Sequence, residues 1–176
     1  MTLFVGGVHA VGKTFLLKPV CERLELRHET ASELIRKQRG TTNWTASRQV
    51  DRISDNQRAL VAAINQIEQT GEFLVLDGHF VLRREVDIHE RIEIEIFSQL
   101  KILGAILLEA PNTTIHERLQ NRGDLTWSTE EIGAFSQAEM EHAEAVCRLL
   151  DVPLIRLHLP TEDEVLSAII QLSSRA

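Results

Sequence analysis

The sequence predicts an α/β fold in three layers, a parallel sheet of about five strands with helices on both faces. Three observations carry this expectation. Short apolar runs alternate along the chain with segments of helical period. The clearest run, Phe73-Leu74-Val75-Leu76, is unbroken and ends in Asp77-Gly78, as suits a parallel strand covered on both sides. The first run, Leu3-Phe4-Val5, leads directly into Gly7-Val8-His9-Ala10-Val11-Gly12-Lys13-Thr14, which fits G-x-x-x-x-G-K-S/T.

Taken in order, Leu3–Gly6 reads as a short buried strand and Thr14–Leu24 as a helix with Leu16, Leu17, Val20 and Leu24 on its apolar face. Leu26–His28 reads as a short second strand, Ala31–Lys37 as a helix stopped near Gly40, and 41–44 as a loop. A long helix is expected from about Ala46 to Gln69, with Ile53, Leu60, Ile64 and Ile67 on one stripe and Gly71 at its end. After the Phe73–Gly78 strand, 81–100 is ambiguous. Ile88, Ile92 and Ile94 alternate with polar residues in a way that fits strand or helix, and an irregular segment followed by a helix over about Ile94–Lys101 is the expectation. Ala105–Leu108 is the next strand and Asn112–Arg122 a helix. Thr129–Leu150 is a long helix capped at Ser128 or Thr129, with Glu130 and Glu131 favourable in its first turn. Leu154–Leu157 and Glu162–Leu172 close the chain as strand and helix.

The 176 residues favour a single domain over 1–176. A content of 43% apolar and 26% charged residues is ordinary for a globular chain. The net charge of −7 argues against nucleic acid as a partner. Only two cysteines, Cys21 and Cys147, occur, far apart, which points to a reduced cytoplasmic protein. No apolar run approaches membrane-spanning length.

The chemistry begins at Gly7–Thr14. Glycines let the backbone curl so that successive N–H groups face phosphate oxygens, and the following helix adds its N-terminal dipole. The expected nucleotide contacts are Gly7, Val8, His9, Ala10, Val11, Gly12, Lys13, Thr14 and Phe15. Lys13 meets the outer phosphates and the Thr14 hydroxyl holds Mg²⁺. Together with the alternation of strands and helices this implies the three-layer P-loop NTPase fold, with ligands at the carboxyl ends of the strands. Asp77, at such an end, is a candidate to hold the magnesium shell through water, although an Asp before Gly78 also serves as a turn former. His79 stands at the crevice mouth as a substrate contact or a packed side chain. Arg118 and Arg122 share one helix face at i, i+4 and are candidate stabilisers of the transferred phosphoryl group, or members of a solvated face with Glu117 and Asp124. Arg36, Arg83 and Arg84 are candidates for a second acidic ligand. Trp44 and Trp127 are rings that either wall a base or pack.

Four segments resemble the adenylate kinase and related nucleoside monophosphate kinase families, the small archaeal-type adenylate kinases above all. They are Gly7–Thr14, Ala31-Ser32-Glu33-Leu34-Ile35-Arg36, Leu74–Gly78 with Arg83 downstream, and Glu117-Arg118-Leu119-Gln120-Asn121-Arg122. The resemblance implies ATP as donor, Arg36 and Arg83 on the acceptor's phosphate with Arg84 competing, and Arg118 and Arg122 clamping ATP and the moving phosphoryl. It also implies an acceptor segment over about 30–70 and a short lid over about 118–130. The chain departs from the family at Ala10, where a glycine often stands, at Ser32, on the acceptor side, and in having no further lid arginine between Arg122 and Arg148.

The function expected is ATP-dependent phosphoryl transfer to a small-molecule acceptor, a nucleotide or nucleoside first, with Lys13, Arg118 and Arg122 catalytic, by a monomer or homo-oligomer. Two alternatives stand beside it: a regulatory P-loop ATPase acting on a protein partner, and a P-loop domain that binds nucleotide without turnover. A GTPase switch is disfavoured, since no N-K-x-D motif occurs and no D-x-x-G follows the Asp77 strand. A ring-forming ATPase is disfavoured because the chain leaves no room for a helical lid domain.

Overall fold

In the computed structural model, residues 1–40 and 50–174 are described. Among the described residues, seven strands and seven helices run in the order β1 (Thr2–Gly6), α1 (Lys13–Arg23), β2 (Arg27–Thr30), α2 (Ala31–Arg39), α3 (Val50–Glu68), β3 (Leu74–Asp77), β4 (Val81–Glu85), β5 (Ile88–Arg91), α4 (Ile94–Gln99), β6 (Ile102–Glu109), α5 (Asn112–Asn121), α6 (Thr129–Leu149), β7 (Leu154–His158) and α7 (Glu162–Ser173). Five strands form one parallel sheet in the order β2-β3-β1-β6-β7. The predicted α/β architecture is therefore the observed one.

The central strands are apolar because helices cover both faces. Leu3, Phe4 and Val5 of β1, Leu74 to Leu76 of β3 and Ala105 to Leu108 of β6 are all buried. Leu60, Ile64 and Ile67 of α3 pack into the same core. Cys21 and Cys147 are buried separately, and burial pushes both thiols up to about 11. Among the described residues no helix is long and apolar enough to cross a membrane.

The register fixes where chemistry can occur. Val5 of β1 sits beside Asp77 of β3, and Gly78 N donates to Val5 O at 3.0 Å. The loop after β1 and the acid ending β3 therefore emerge side by side. Beneath them lie three mutually packed rings: Phe4 and Phe80 at 4.8 Å between centroids, Phe4 and Phe97 at 5.3 Å, and Phe80 and Phe97 at 5.1 Å. Gly6 is required by this cluster, since a Cβ there would lie 2.4 Å from Phe80 Cε2.

The structure corrects the reading of 81–100. The first part is not irregular: β4 and β5 form an antiparallel hairpin, and only Ile94–Gln99 is helical. The turn at Val86-Asp87 uses Asp87 at φ 58 and lacks the Asn-Gly or Asp-Gly signature that marks tight hairpins. The second strand lies slightly later than expected, at Arg27–Thr30, on the half-buried edge of the sheet, where the apolar signal is weak. Trp44 and the expected start of the long helix at Ala46 lie outside the described residues.

Gly6→Ala is expected to force Phe80 out of a fully buried ring cluster and to destabilise the protein by about 1–3 kcal/mol, read as a lower denaturant midpoint.

Candidate active site

The phosphate loop spans Gly7 to Thr14 between β1 and α1. Gly7 takes φ 140 and Gly12 φ 113, and Gly12 leaves the N-terminus of α1 without a side-chain cap. Those first-turn amides are donors presented to an anion. Ala10, where the kinase resemblance has glycine, adopts φ 59. The loop thus keeps a left-handed residue at that position, at a cost of roughly 1–2 kcal/mol for carrying a Cβ.

Lys13 is buried, with Nζ donating to Gly7 O at 2.6 Å and Val8 O at 3.2 Å. Burial lowers its pKa, while Asp77 and Glu139 oppose that shift. The Thr14 hydroxyl donates to Asp77 Oδ2 at 2.6 Å. Arg118 reaches over from α5, with Nη1 donating to Val11 O at 2.7 Å and Ala10 O at 3.3 Å. Arg122, at the end of the same helix, lines the cleft.

That cleft has a volume of about 460 Å³. Its donor end holds His9, Ala10, Gly12, Lys13, Thr14, Phe15 and Arg122. It continues past Asp77, Gly78 and His79 under α2 and α3. Thr14 and Asp77 form a hard-oxygen pair of the kind Mg²⁺ takes. Among the described residues no group of three or more His, Cys, Asp or Glu side chains could hold a metal ion. A magnesium ion here would draw its remaining ligands from phosphate oxygens and water, which suits a nucleotide-borne cation.

Two expected acceptor residues lie elsewhere. Arg36 is exposed on α2, with Nη2 3.7 Å from Glu33. Arg83 turns toward the start of α6: Nε and Nη2 each donate to Glu131 at 2.7 Å, Nη1 donates to Thr126 Oγ1, and Nη2 also donates to Thr126 O. Its guanidinium lies 3.9 Å from the centroid of the buried Trp127 ring. Trp127 is packed on Phe135 at 5.4 Å and does not line the main cleft. Arg84 pairs with Glu90 in the hairpin.

The sequence reading missed Glu139. This side chain is 1% exposed and lies on α6, 132 residues from Gly7. It accepts from Gly7 N at 3.0 Å, Phe80 N at 2.9 Å and Val81 N at 2.7 Å. Burial raises its pKa despite those three amides and the nearby Lys13. A signal was available: Ile132, Phe135, Glu139, His142 and Val146 fall on one buried stripe, so an acid interrupts an apolar face.

His9 and His79 face each other at 4.3 Å between centroids. Burial, then Lys13, lowers the His79 pKa well below the usual histidine range. The same two causes bring His9 down to about 4, though its residue retains solvent exposure.

Glu139→Gln turns one acceptor oxygen into a donor facing amide N–H groups. It is expected to cost about 1–3 kcal/mol by denaturant unfolding, and Glu139→Ala more. The His79 shift sets the sign of a pH effect. The unfolded ring takes a proton below about 6.5 and the folded ring resists it, so this contribution to stability is fully present above that pH and is lost as pH falls. The denaturant midpoint should drop on acidification, and less steeply in His79→Asn.

The geometry agrees with what the chain is similar to. Comparison with curated proteins returned no significant match. Among solved structures, shikimate kinase from Acinetobacter baumannii, in complex with shikimate, shares 13% identity at a TM-score of 0.63, covering 99% of this chain and 93% of that one. A sugar kinase from a Janibacter species shares 16% at 0.57, with 98% and 94% covered. A gluconokinase from Sinorhizobium meliloti shares 16% at 0.55, with 99% and 91% covered. These likenesses establish the fold, a five-stranded parallel P-loop sheet shared with kinases. A family model described as an AAA domain matches residues 6–132, and the chain, carrying the phosphate loop, Asp77 and both helix α5 arginines inside that span, belongs to the AAA domain family.

Proposed function

We propose that this protein is an ATP-dependent kinase that transfers the γ-phosphoryl group to a hydroxyl of a small molecule. The observation that carries this reading is continuity. One cleft runs from the phosphate loop, with Lys13 and Arg122 at its donor end, past Asp77 into a chamber beneath α2 and α3. A nucleotide-binding module that only hydrolysed or sensed ATP has no need of that chamber. The kinase fold of the structural neighbours supports the same reading.

In this assignment the main-chain amides of Gly7–Thr14 cradle the phosphates. Lys13 leaves its contacts with Gly7 O and Val8 O for the outer phosphates. Thr14 and Asp77 are the residues that would hold Mg²⁺, Thr14 directly and Asp77 through water; when bound, the ion neutralises charge on the β- and γ-phosphate oxygens. The acceptor oxygen bonds to the γ-phosphorus. The bond from that phosphorus to the β–γ bridging oxygen breaks, its electron pair leaves on ADP, and the hydroxyl proton passes to water. Negative charge spread over the transferred group is met by Lys13 and Arg122, with Arg118 fixing the loop that holds it. Catalysis is positioning plus electrostatics. His9 and His79 remain neutral at the junction of the two halves.

A nucleoside monophosphate acceptor, the finer expectation from the adenylate kinase resemblance, rested on Arg36 and Arg83 holding its phosphate. Neither lines the cleft as the structure stands.

ADP release is the measurement. Incubation with ATP·Mg²⁺ and a panel of small hydroxyl compounds is expected to show release strongly accelerated by one class of acceptor. Lys13→Ala is expected to lower that rate about a hundred- to a thousand-fold while the protein stays folded. Near-normal transfer by Lys13→Ala would remove the site assignment. Lys13-dependent hydrolysis indifferent to every acceptor would favour the regulatory ATPase.

A further inference from the structure

The acceptor half of the cleft differs sharply in character from the donor half. Its wall is built by Phe4, Ile35, Leu60, Leu82, Ile96 and Phe97. Its polar groups are uncharged: Thr30 and Ser32 at the start of α2, and Asn56 and Gln57 on α3. Among the described residues the only cations lining the cleft are Lys13 and Arg122, both at the donor end.

Among the described residues, the cations on the surrounding elements are engaged by other side chains, Arg39 at the chamber wall itself. Lys37 donates to Glu29 at 2.9 Å, Arg39 to Asn56, and Arg91 to Glu141 at 2.9 Å, while Arg84 pairs with Glu90 and Arg36 with Glu33. Arg83 is fully spent on Glu131, Thr126 and the Trp127 face. The N-terminus of α2 is also answered from within. The Thr30 hydroxyl accepts from Glu33 N at 3.2 Å, and the Glu33 carboxylate sits in the first turn. An anionic acceptor would therefore bring a phosphate or carboxylate into an apolar chamber beside Asp77, with no cation among the described lining residues of that half to compensate the lost hydration.

We propose that the acceptor is an uncharged alcohol built on an apolar or aromatic ring. The ring lies against Phe4, Ile35, Leu60 and Phe97, and one hydroxyl is presented beside Asp77 and His79. A nucleoside or a neutral ring alcohol satisfies this chemistry; a nucleoside monophosphate or a ring hydroxy-acid does not. Apolar wall supplies affinity through burial, and Asn56, Gln57, Thr30 and Ser32 read the polar edge. This inference rests on the kinase reading and narrows it.

Matched pairs test it. The full chain is given radiolabelled ATP with nucleosides against their monophosphates, and with ring diols against ring hydroxy-acids, while ATP binding is followed separately by fluorescence. Transfer to the uncharged member of a pair is expected to exceed transfer to its anionic partner about tenfold or more in kcat/KM. Ile35→Glu, on the half-buried wall, is expected to raise the acceptor KM about tenfold, well beyond its effect on the KM for ATP. Leu82→Glu on the hairpin should do the same if Ile35→Glu fails to fold. Preference for the anionic members, or an acceptor KM that ignores both substitutions, overturns the inference and leaves the kinase intact. ATP that binds but is passed to neither class overturns it in favour of the ATPase. Failure to bind ATP at all removes the kinase reading itself.

Discussion

One buried carboxylate holds the working parts of this protein in register. Glu139 accepts from Gly7 N, the first amide of the phosphate loop, and from Phe80 N and Val81 N, the amides that carry the chain from Asp77 into the hairpin. The loop that would cradle phosphate and the acid that would hold its metal are thus tied to one point on a third element. Each of those amides would otherwise be a buried donor without an acceptor, costing about 1–3 kcal/mol. The carboxylate's own burial is unfavourable, and the raised pKa records it. Three amides and Lys13 offset that cost, so the site's geometry and the stability of its core depend on the same contact.

Helix α6 extends this logic along its length. Near its start, the Glu131 amide donates to Ser128 Oγ, while its carboxylate accepts from the Arg83 fork and from Asp87 N of the hairpin turn. Arg83 in turn grips Thr126 and covers Trp127, closing the segment after α5 onto the hairpin. Three residues beyond Glu139, His142 meets Ile92 O at 2.6 Å, at the base of the hairpin. The hairpin, the 123–128 segment and α6 are therefore stitched together by polar contacts that run from buried at Glu139 to exposed at Thr126. Movement that admits an acceptor is more easily drawn from α2 and α3, whose charged contacts are largely exposed pairs such as Lys37 with Glu29, each worth little.

What the sequence disclosed and what it hid follow from the range of the interactions. The phosphate loop is written in consecutive residues, and the buried strands in runs such as Leu74-Val75-Leu76, so both were legible. The placing of Asp77 beside the loop was legible only on the condition that β1 and β3 are neighbours, which their register supplies. The hairpin was not, because Val81–Arg91 mixes arginines and acids with its apolar residues and turns at Asp87 without glycine. The destination of Arg83 was hidden for a different reason: its partner Glu131 lies 48 residues away and reads locally as a helix-dipole acid. Glu139 left a trace, as an acid on an apolar stripe, but only the fold shows that three separate amides converge on it.

The same distribution of charge gives the cleft a direction. Cations, main-chain amides and the hydroxyl–carboxylate pair of Thr14 and Asp77 gather at one end, where a polyphosphate and its metal would carry the compensating charges. At the other end the wall is aromatic and aliphatic, and its floor is the Phe4, Phe80 and Phe97 cluster that also closes the core. Gly6 and Gly78 are held without side chains by the rings of that floor: a Cβ at Gly78 would lie 2.9 Å from Phe4. Backbone therefore approaches the rings as closely as it can at the point where the two halves meet. On the proposed reading, a phosphoryl group crossing that junction takes its negative charge with it, and the cations that can meet that charge, Lys13 and Arg122, stand at the donor end.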